Sequence, residues 1–452
     1  MKSKKRFSLS TTHLIMLSFL GVIAIGTLLL WLPISTKSGE SVAFVDALFT
    51  ATTSTCVTGL VTLSTHATWS VFGQIVILLL IQIGGLGLIS IMGAASFLLN
   101  RKLGLGDRLL LRDAFNLNTL SGIGPFVRRV VLGALAVEGV GALLYMLVFI
   151  PEYGWRGIWL SVFTAISAFC NAGIDLLGDV SLSAYATHPL INAVTMALII
   201  LGGLGFVVWW DVLHVLSLVG KRRHPLSYLT LQSKIVLSST AAMLILGCAA
   251  FLICEWSNPA TLGAHSLPNK LQMAMFQSVT TRTAGFFTIP QEALTTPSAL
   301  VSLVLMFIGG SPVGTAGGIK TVTFVVLIAK AASSIRGKDR VSLFGRTIKD
   351  EAIGKAVAVC MTSFSIMALS SLCLSLVSNA PLVDILYEAV SATATVGLSR
   401  ALTPALNTIG KLIIIATMYL GRIGPISLAV AFTVGVSKQN LIEEPIEDIS
   451  VG

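Results

Sequence analysis

Val45-Asp46-Ala47-Leu48-Phe49-Thr50-Ala51-Thr52-Thr53-Ser54-Thr55-Cys56-Val57-Thr58-Gly59 is the stretch from which the architecture of this chain can be read. Its apolar run, Val45 to Thr55, is too short to cross a bilayer, which takes about 20 apolar residues, and it ends on a turn that contains a glycine. Three other runs behave alike. Ile158 to Phe169 leads into Cys170-Asn171-Ala172-Gly173, Lys270 to Thr281 into Arg282-Thr283-Ala284-Gly285, and Val383 to Thr393 into Ala394-Thr395-Val396-Gly397. The four glycines, Gly59, Gly173, Gly285 and Gly397, follow one another at 114, 112 and 112 residues, and a near-constant period marks internal repetition. Asp46 and Asp384 each lie 13 residues before their glycine. A second marker follows each turn at 25, 29, 24 and 24 residues: Gly84-Gly85, Gly202-Gly203, Gly309-Gly310 and Gly421.

The surroundings of these runs are those of a membrane protein. Of 452 residues 54% are hydrophobic and 11% charged, with mean hydropathy +0.89, where soluble chains carry about 25% charged residues. Eight stretches are long enough to span: 13–34, 71–99, 127–150, 190–219, 231–254, 298–330, 352–377 and 408–436. The first follows a basic start, but its apolar run is too long for a signal peptide and no small-residue cleavage site follows it cleanly, so it reads as a retained helix. The expected fold is an all-α membrane protein of four tandem repeats, each helix, re-entrant pore helix, glycine turn, helix, around a central ion pathway. The repeats occupy 13–100, 127–220, 231–335 and 350–436, followed by a tail at 437–452.

Charge sets the orientation. The N-terminus, 100–129, 221–234, 330–355 and the tail hold 22 of the 30 lysines and arginines, whereas the opposite connections hold Lys37, Arg156, Lys270, Arg400 and Lys411. Cytoplasmic loops carry the basic excess, so both termini are expected inside, and the net charge of +10 needs no nucleic acid to explain it. The six cysteines form no CxxC pair and the histidines are scattered, so no structural metal is expected.

Irregular backbone at membrane depth is tolerated where protein buries it or water lines it. Glycine allows positive φ and close approach, so carbonyls at four such turns can converge and replace the hydration shell of an ion. Four short helices aiming their partly negative C-terminal ends at one point favour a cation. The residues before the glycines vary (Val57-Thr58, Asn171-Ala172, Thr283-Ala284, Thr395-Val396), which points to backbone oxygens as the ligands, and no ring of four carboxylates is present. Asp175, just past Gly173, reads as a vestibule attractor or as an ordinary solvated acid.

The sixth span stands apart. Gly309, Gly310, Pro312, Gly314, Gly317 and Gly318 fall within ten positions between Met306 and Val322. Each interior glycine costs about 1 kcal/mol and a proline about 3, so a broken helix with an intramembrane loop is expected, either a mobile segment or a static kink. Arg422 occupies the matching place in the fourth repeat. A central arginine costs about 2.5–3.5 kcal/mol to insert, so it should face the interior and bond the free carbonyls of that loop. Lys320 marks the lower end of the loop, and Arg282 is expected to point back into the pore-helix shell, towards an acid.

These motifs resemble those of the Trk/Ktr/HKT superfamily of potassium transport proteins, over nearly the whole chain. The most telling are Ser278-Val279-Thr280-Thr281-Arg282-Thr283-Ala284-Gly285-Phe286, Thr393-Ala394-Thr395-Val396-Gly397, Gly309-Gly310-Ser311-Pro312-Val313-Gly314-Thr315-Ala316-Gly317-Gly318-Ile319-Lys320 and Gly421-Arg422-Ile423-Gly424-Pro425. With the first repeat at its start, the chain is most similar to the KtrB branch, the membrane subunits of Ktr uptake systems. The resemblance implies a potassium-binding filter at Val57, Thr58, Gly59, Asn171, Ala172, Gly173, Thr283, Ala284, Gly285, Thr395, Val396 and Gly397. It implies a gate at Gly309, Gly310, Ser311, Pro312, Gly314, Thr315, Gly317, Gly318, Lys320 and Arg422. Glycine at position 59, where a serine goes with sodium permeation, implies potassium as the ion. Also implied are a bacterial plasma membrane location, a homodimer and a cytosolic ring of nucleotide-binding RCK-type regulatory subunits (KtrA- or KtrC-like). No cofactor is implied beyond stimulation by sodium.

The main rival is an ion-coupled symporter with alternating access, since broken helices and repeats occur there too. Such repeats usually come in pairs, whereas four copies with one turn each fit a pore better. No nucleophile–base pair, HExxH or P-loop marks an enzyme, and no span carries the regular arginines of a voltage sensor.

Overall fold

The computed structural model describes residues 11–87, 123–178, 180–219, 221, 224–338 and 340–424. The N-terminal basic cluster, most of 100–129, Arg222, Arg223, Pro425, the ends of the expected spans 71–99 and 408–436, and the tail 437–452 lie outside the described residues.

The described elements run long helix, short helix, second helix in each of four successive passages. The first holds α1 (Thr11–Trp31), α2 (Phe44–Thr55) and α3 (Val71–Leu86). The second holds α4 (Ile123–Tyr153), α5 (Arg156–Phe169), α6 (Pro189–Leu204) and α7 (Phe206–Ser217). The third holds α8 (Leu231–Glu255), α9 (Leu267–Thr280), α10 (Thr296–Phe307) and α11 (Thr321–Ile335). The fourth holds α12 (Asp350–Val377), α13 (Leu382–Ala394) and α14 (Thr408–Ile423). A two-stranded hairpin, β1 (Ser342–Leu343) with β2 (Arg346–Thr347), connects the last two passages.

Each passage opens on a helix long and apolar enough to cross a membrane: His13–Trp31, Gly124–Tyr153, Leu231–Glu255 and Asp350–Val377. Leu143, Leu147, Ile253, Leu369 and Leu376 on these helices are exposed, an outward apolar face that suits lipid. The second helices start at side-chain caps that satisfy otherwise orphaned amides. Ser70 accepts from Gly73 N, Thr295 from Ser298 N, and Asn407 from Gly410 N. The short helices are buried along their C-terminal halves: Phe49 to Thr55, Phe163 to Ala165 with Ser167 to Phe169, Phe276 to Thr280 and Tyr387 to Ala394.

One expectation about the second helices is corrected. The apolar spans 71–99, 190–219 and 408–436 carry no predicted break, and only the sixth is expected to be broken. In the structure α6 and α7 bend by 100° at Gly205, α3 ends at Gly87 and α14 ends at Gly424. The three glycines share one backbone state, φ/ψ of 83/132°, 87/136° and 90/139°, open to residues without a Cβ. The expected break of the sixth span is present: α10 stops at Phe307, α11 starts at Thr321, and an irregular loop lies between.

Candidate functional site

The four short helices end on the four glycine turns, and each turn has the same unusual backbone. The glycine and the residue two before it have positive φ: Val57 55° and Gly59 96°, Asn171 60° and Gly173 64°, Thr283 67° and Gly285 81°, Thr395 51° and Gly397 95°. Positive φ is a genuine outlier for the β-branched Val57, Thr283 and Thr395 and costs of order 1–3 kcal/mol each, so the surroundings hold it in place.

What holds it is the end of each short helix. Thr58 N, Ala172 N and Val396 N donate to the carbonyls of Thr53, Ser167 and Ser391, each at 2.8 Å. The hydroxyls of the same three residues accept from Gly59 N (3.0 Å), Ile174 N (3.1 Å) and Gly397 N (3.0 Å). The third turn differs: Ala284 N donates to Thr280 O at 3.0 Å and the Thr280 hydroxyl donates to Phe286 O. These amides are thus turned back into the helix ends. Sequence reading missed this clamp, although Thr53, Ser167 and Ser391 all lie six residues before their glycine.

The glycines meet one another. A Cβ on Gly173 would lie 2.6 Å from Gly285 Cα, one on Gly285 2.7 Å from Val396 O, and one on Gly397 2.9 Å from Gly59 Cα. Gly59 in turn abuts the Ala172 carbonyl, so the turns close a ring in sequence order. All four line one vestibule of about 610 Å³ together with Asp175 and Glu292. The Asp175 carboxylate accepts from Leu177 N at 3.0 Å. Two ion pairs anchor short helices around the ring: Asp46 with Lys411 at 2.6 Å and Asp384 with Arg400 at 2.8 Å.

Behind the ring, the second glycine markers permit contact between backbones. Gly84, Gly202 and Gly421 press against the carbonyls of Thr55, Phe169 and Thr393, leaving no room for a side chain. The third passage puts its loop here instead. Gly202 O and Gly203 O, freed by the break at Gly205, accept from Thr315 N (3.0 Å) and Ser311 N (2.9 Å), and Phe206 N donates to Val313 O at 2.9 Å. Buried backbone groups need partners, and the broken sixth span supplies them to the broken fourth. On its other sides the loop donates from Gly317 N to Thr283 Oγ1 (3.2 Å) and from Thr315 Oγ1 to Phe169 O (3.0 Å).

Three basic residues meet this loop. Arg422 Nη1 donates to Thr315 O at 2.8 Å and Nη2 to Gly84 O, so its expected carbonyl partner is present. Lys320 Nζ donates to Ala316 O at 2.6 Å. Arg282 departs from expectation: its partner is the Gly309 carbonyl at 3.2 Å, at the start of the loop, not an acid. Ser311 and Thr321 pair through their hydroxyls at 3.2 Å. Buried carboxylates went unread in the sequence, Glu388 and Glu138 among them. Glu388, on α13, accepts from Ser399 at 2.7 Å and from Thr403 just past the fourth turn. Glu138, midway along α4, accepts from Gln82.

Comparison with known proteins supplies the class. The model of the family described as "TrkH: Cation transport protein" matches residues 2–443. The chain is 40% identical to the potassium/sodium uptake protein NtpJ of Enterococcus hirae, over 100% of this chain and 99% of that protein. It is 39% identical to the Ktr system potassium uptake protein B of Bacillus subtilis, over 96% and 95% of the two chains. The corresponding protein of Vibrio alginolyticus is 34% identical over 97% and 94%. The crystal structure of the potassium transporter TrkH from Vibrio parahaemolyticus shares the fold, with a TM-score of 0.75 at 14% identity, over 95% of this chain and 86% of that one.

Proposed function

The chain belongs to the TrkH family of cation transport proteins, transporters and not enzymes, and on that premise we propose that it takes up potassium through a gated, channel-like pore. One observation carries the reading: four turns with the same alternation of φ, their glycines within van der Waals reach of one another, open on a single vestibule. Alternating the sign of φ swings successive carbonyls to the same side of the chain. With the Thr58, Ala172, Ala284 and Val396 amides spent on the short-helix ends, the carbonyls of residues 57–59, 171–173, 283–285 and 395–397 are the groups available to replace the water around a dehydrated cation. Asp175 and Glu292 at the mouth raise the local cation concentration.

The loop 309–318 with Lys320 and Arg422 is the proposed gate. It lies behind the ring, its backbone bonds span the second, third and fourth passages, and Arg422, bonded to the Thr315 and Gly84 carbonyls, brings a positive charge towards a cation that has left the turns. Inward movement of one cation is favoured by about 2.3 kcal/mol per 100 mV, inside negative, so uptake runs downhill once the gate opens. Relatives named as proteins of Ktr systems support a multicomponent assembly. The basic excess in the N-terminus and alternate connections supports a plasma-membrane orientation with both termini cytoplasmic. We place a homodimer of this chain on a ring of RCK-type regulatory subunits, with sodium as a candidate activator.

The test is growth of a bacterial strain that lacks its own potassium uptake systems. Expression of this chain with a Ktr regulatory subunit should restore growth at low potassium. Failure to restore it, with the protein present in the membrane, would remove the potassium assignment.

A further inference from the structure

The span α4 carries one acid at its centre, Glu138, which is 3% exposed. An ionisable group at that depth is expensive, and it is retained where it faces partners that do something with it. Both of its oxygens accept from Gln82 Nε2, at 3.1 and 3.0 Å. The Cys170 thiol lies over the same pair, 3.6 Å from Gln82 Oε1 and 3.9 Å from Glu138 Oε1. Gly85 makes room for that thiol: a Cβ there would come within 2.5 Å of Cys170 Sγ.

The three residues come from three elements with different duties. Cys170 caps α5 and is the residue before Asn171, where the second turn becomes left-handed. Gln82 is on the last turns of α3, two residues before Gly84, whose carbonyl accepts from Arg422. Glu138 belongs to neither the turns nor the loop, yet it is one hydrogen bond from the helix that the arginine holds and lies against the residue that starts the second turn.

We infer that Glu138 is a positioning residue for ion discrimination: through Gln82 and Cys170 it fixes the start of the second glycine turn against α3. The role rests on the reading of the four turns as the filter. It requires hydrogen-bonding capacity at position 138 rather than negative charge, because an amide can also pair with Gln82 whereas an alkyl group leaves the half-buried Gln82 amide without that partner.

The experiment uses the full-length protein in liposomes and measures the ratio of potassium to sodium influx. Glu138→Gln should keep the parent ratio to within about twofold, whereas Glu138→Leu should lower it about fivefold while potassium still enters. Gln82→Leu should lower it likewise, and carries the test if Glu138→Leu does not assemble. The double variant should be no lower than either single variant, since removing both partners leaves neither group stranded. Parent ratios in both leucine variants, or a Glu138→Gln ratio as low as that of Glu138→Leu, would overturn the inference while leaving the filter reading intact. A parent protein that does not discriminate between the ions would remove the filter reading and this inference with it.

Discussion

Arg422 Nη1 donates to the Thr315 carbonyl at 2.8 Å, joining the last described helix of the fourth passage to the irregular loop of the third. The same guanidinium reaches the Gly84 carbonyl of the first passage, and Thr315 N is bonded to Gly202 O of the second at 3.0 Å. All four passages therefore meet within two residues' reach of one arginine, directly behind the ring of glycine turns. A charge so placed can hold the loop across the pathway and oppose a passing cation with the same contacts.

Arg422→Ala is expected to raise potassium flux. It removes charge-assisted hydrogen bonds of about 1.5–3 kcal/mol from the closed arrangement, which corresponds to a shift towards the open state of roughly tenfold or more. Tracer uptake into liposomes, normalised to protein incorporated, reads this directly. Unchanged flux would assign Arg422 to anchoring alone.

Deletion of 311–316 is expected to raise flux as well, and to lower stability. The segment satisfies Gly202 O and Gly203 O through the Thr315 and Ser311 amides, and its loss leaves buried carbonyls that cost about 1–3 kcal/mol each. Flux and melting temperature in detergent should therefore move in opposite directions, a combination that a merely damaged protein does not give.

Gly59→Ser should loosen selectivity. Gly59 has φ 96° and backs onto the Ala172 carbonyl, with Gly397 Cα 3.2 Å from where a Cβ would sit. A side chain there meets backbone that cannot step aside and carries a left-handed penalty of about 1–2 kcal/mol, so the first turn must shift. The preference for potassium over sodium should fall, read as bi-ionic flux ratios. A retained ratio would take Gly59 out of the filter.

The Lys411–Asp46 pair should matter for stability rather than for ion choice. It links the start of α14 to the first turn of α2, 365 residues away in sequence, and both side chains are largely shielded at 17% and 13% exposure. Asp46→Asn keeps the shape and loses the charge, and should lower the melting temperature by about 1 °C for each kcal/mol lost. The potassium to sodium ratio should stay at the parent value.

How much of this was legible in the chain depended on whether a residue type constrains geometry. Gly59, Gly173, Gly285 and Gly397 were readable because four copies in register single out glycines that need to be glycine. The partner of Arg422 was readable because a lone arginine among apolar residues has to find oxygens, and a loop rich in glycine and proline exposes them. The left-handed states of Val57, Thr283 and Thr395 were not, because β-branched residues disfavour them and only the clamp from the helix ends imposes them. The break at Gly205 and the helix ends at Gly87 and Gly424 were missed for another reason. Their spans are apolar enough to read as unbroken, and the decisive third glycine of Gly84-Gly85-Leu86-Gly87 and Gly202-Gly203-Leu204-Gly205 was absorbed into them. Glu138 carried the signal that exposed Arg422, a single charge at the middle of a span, and only the fold shows that it faces Gln82.

The most direct measurement is influx into liposomes containing the purified chain, with potassium and sodium gradients imposed separately at a clamped voltage. A gated pore with a carbonyl filter dissipates the potassium gradient passively, faster than the sodium gradient, and follows the voltage with no second ion present. Potassium accumulation against its own gradient, driven by sodium or protons and absent without them, would contradict the pore. It would make the 309–318 loop and the Gly205 bend parts of an alternating-access cycle.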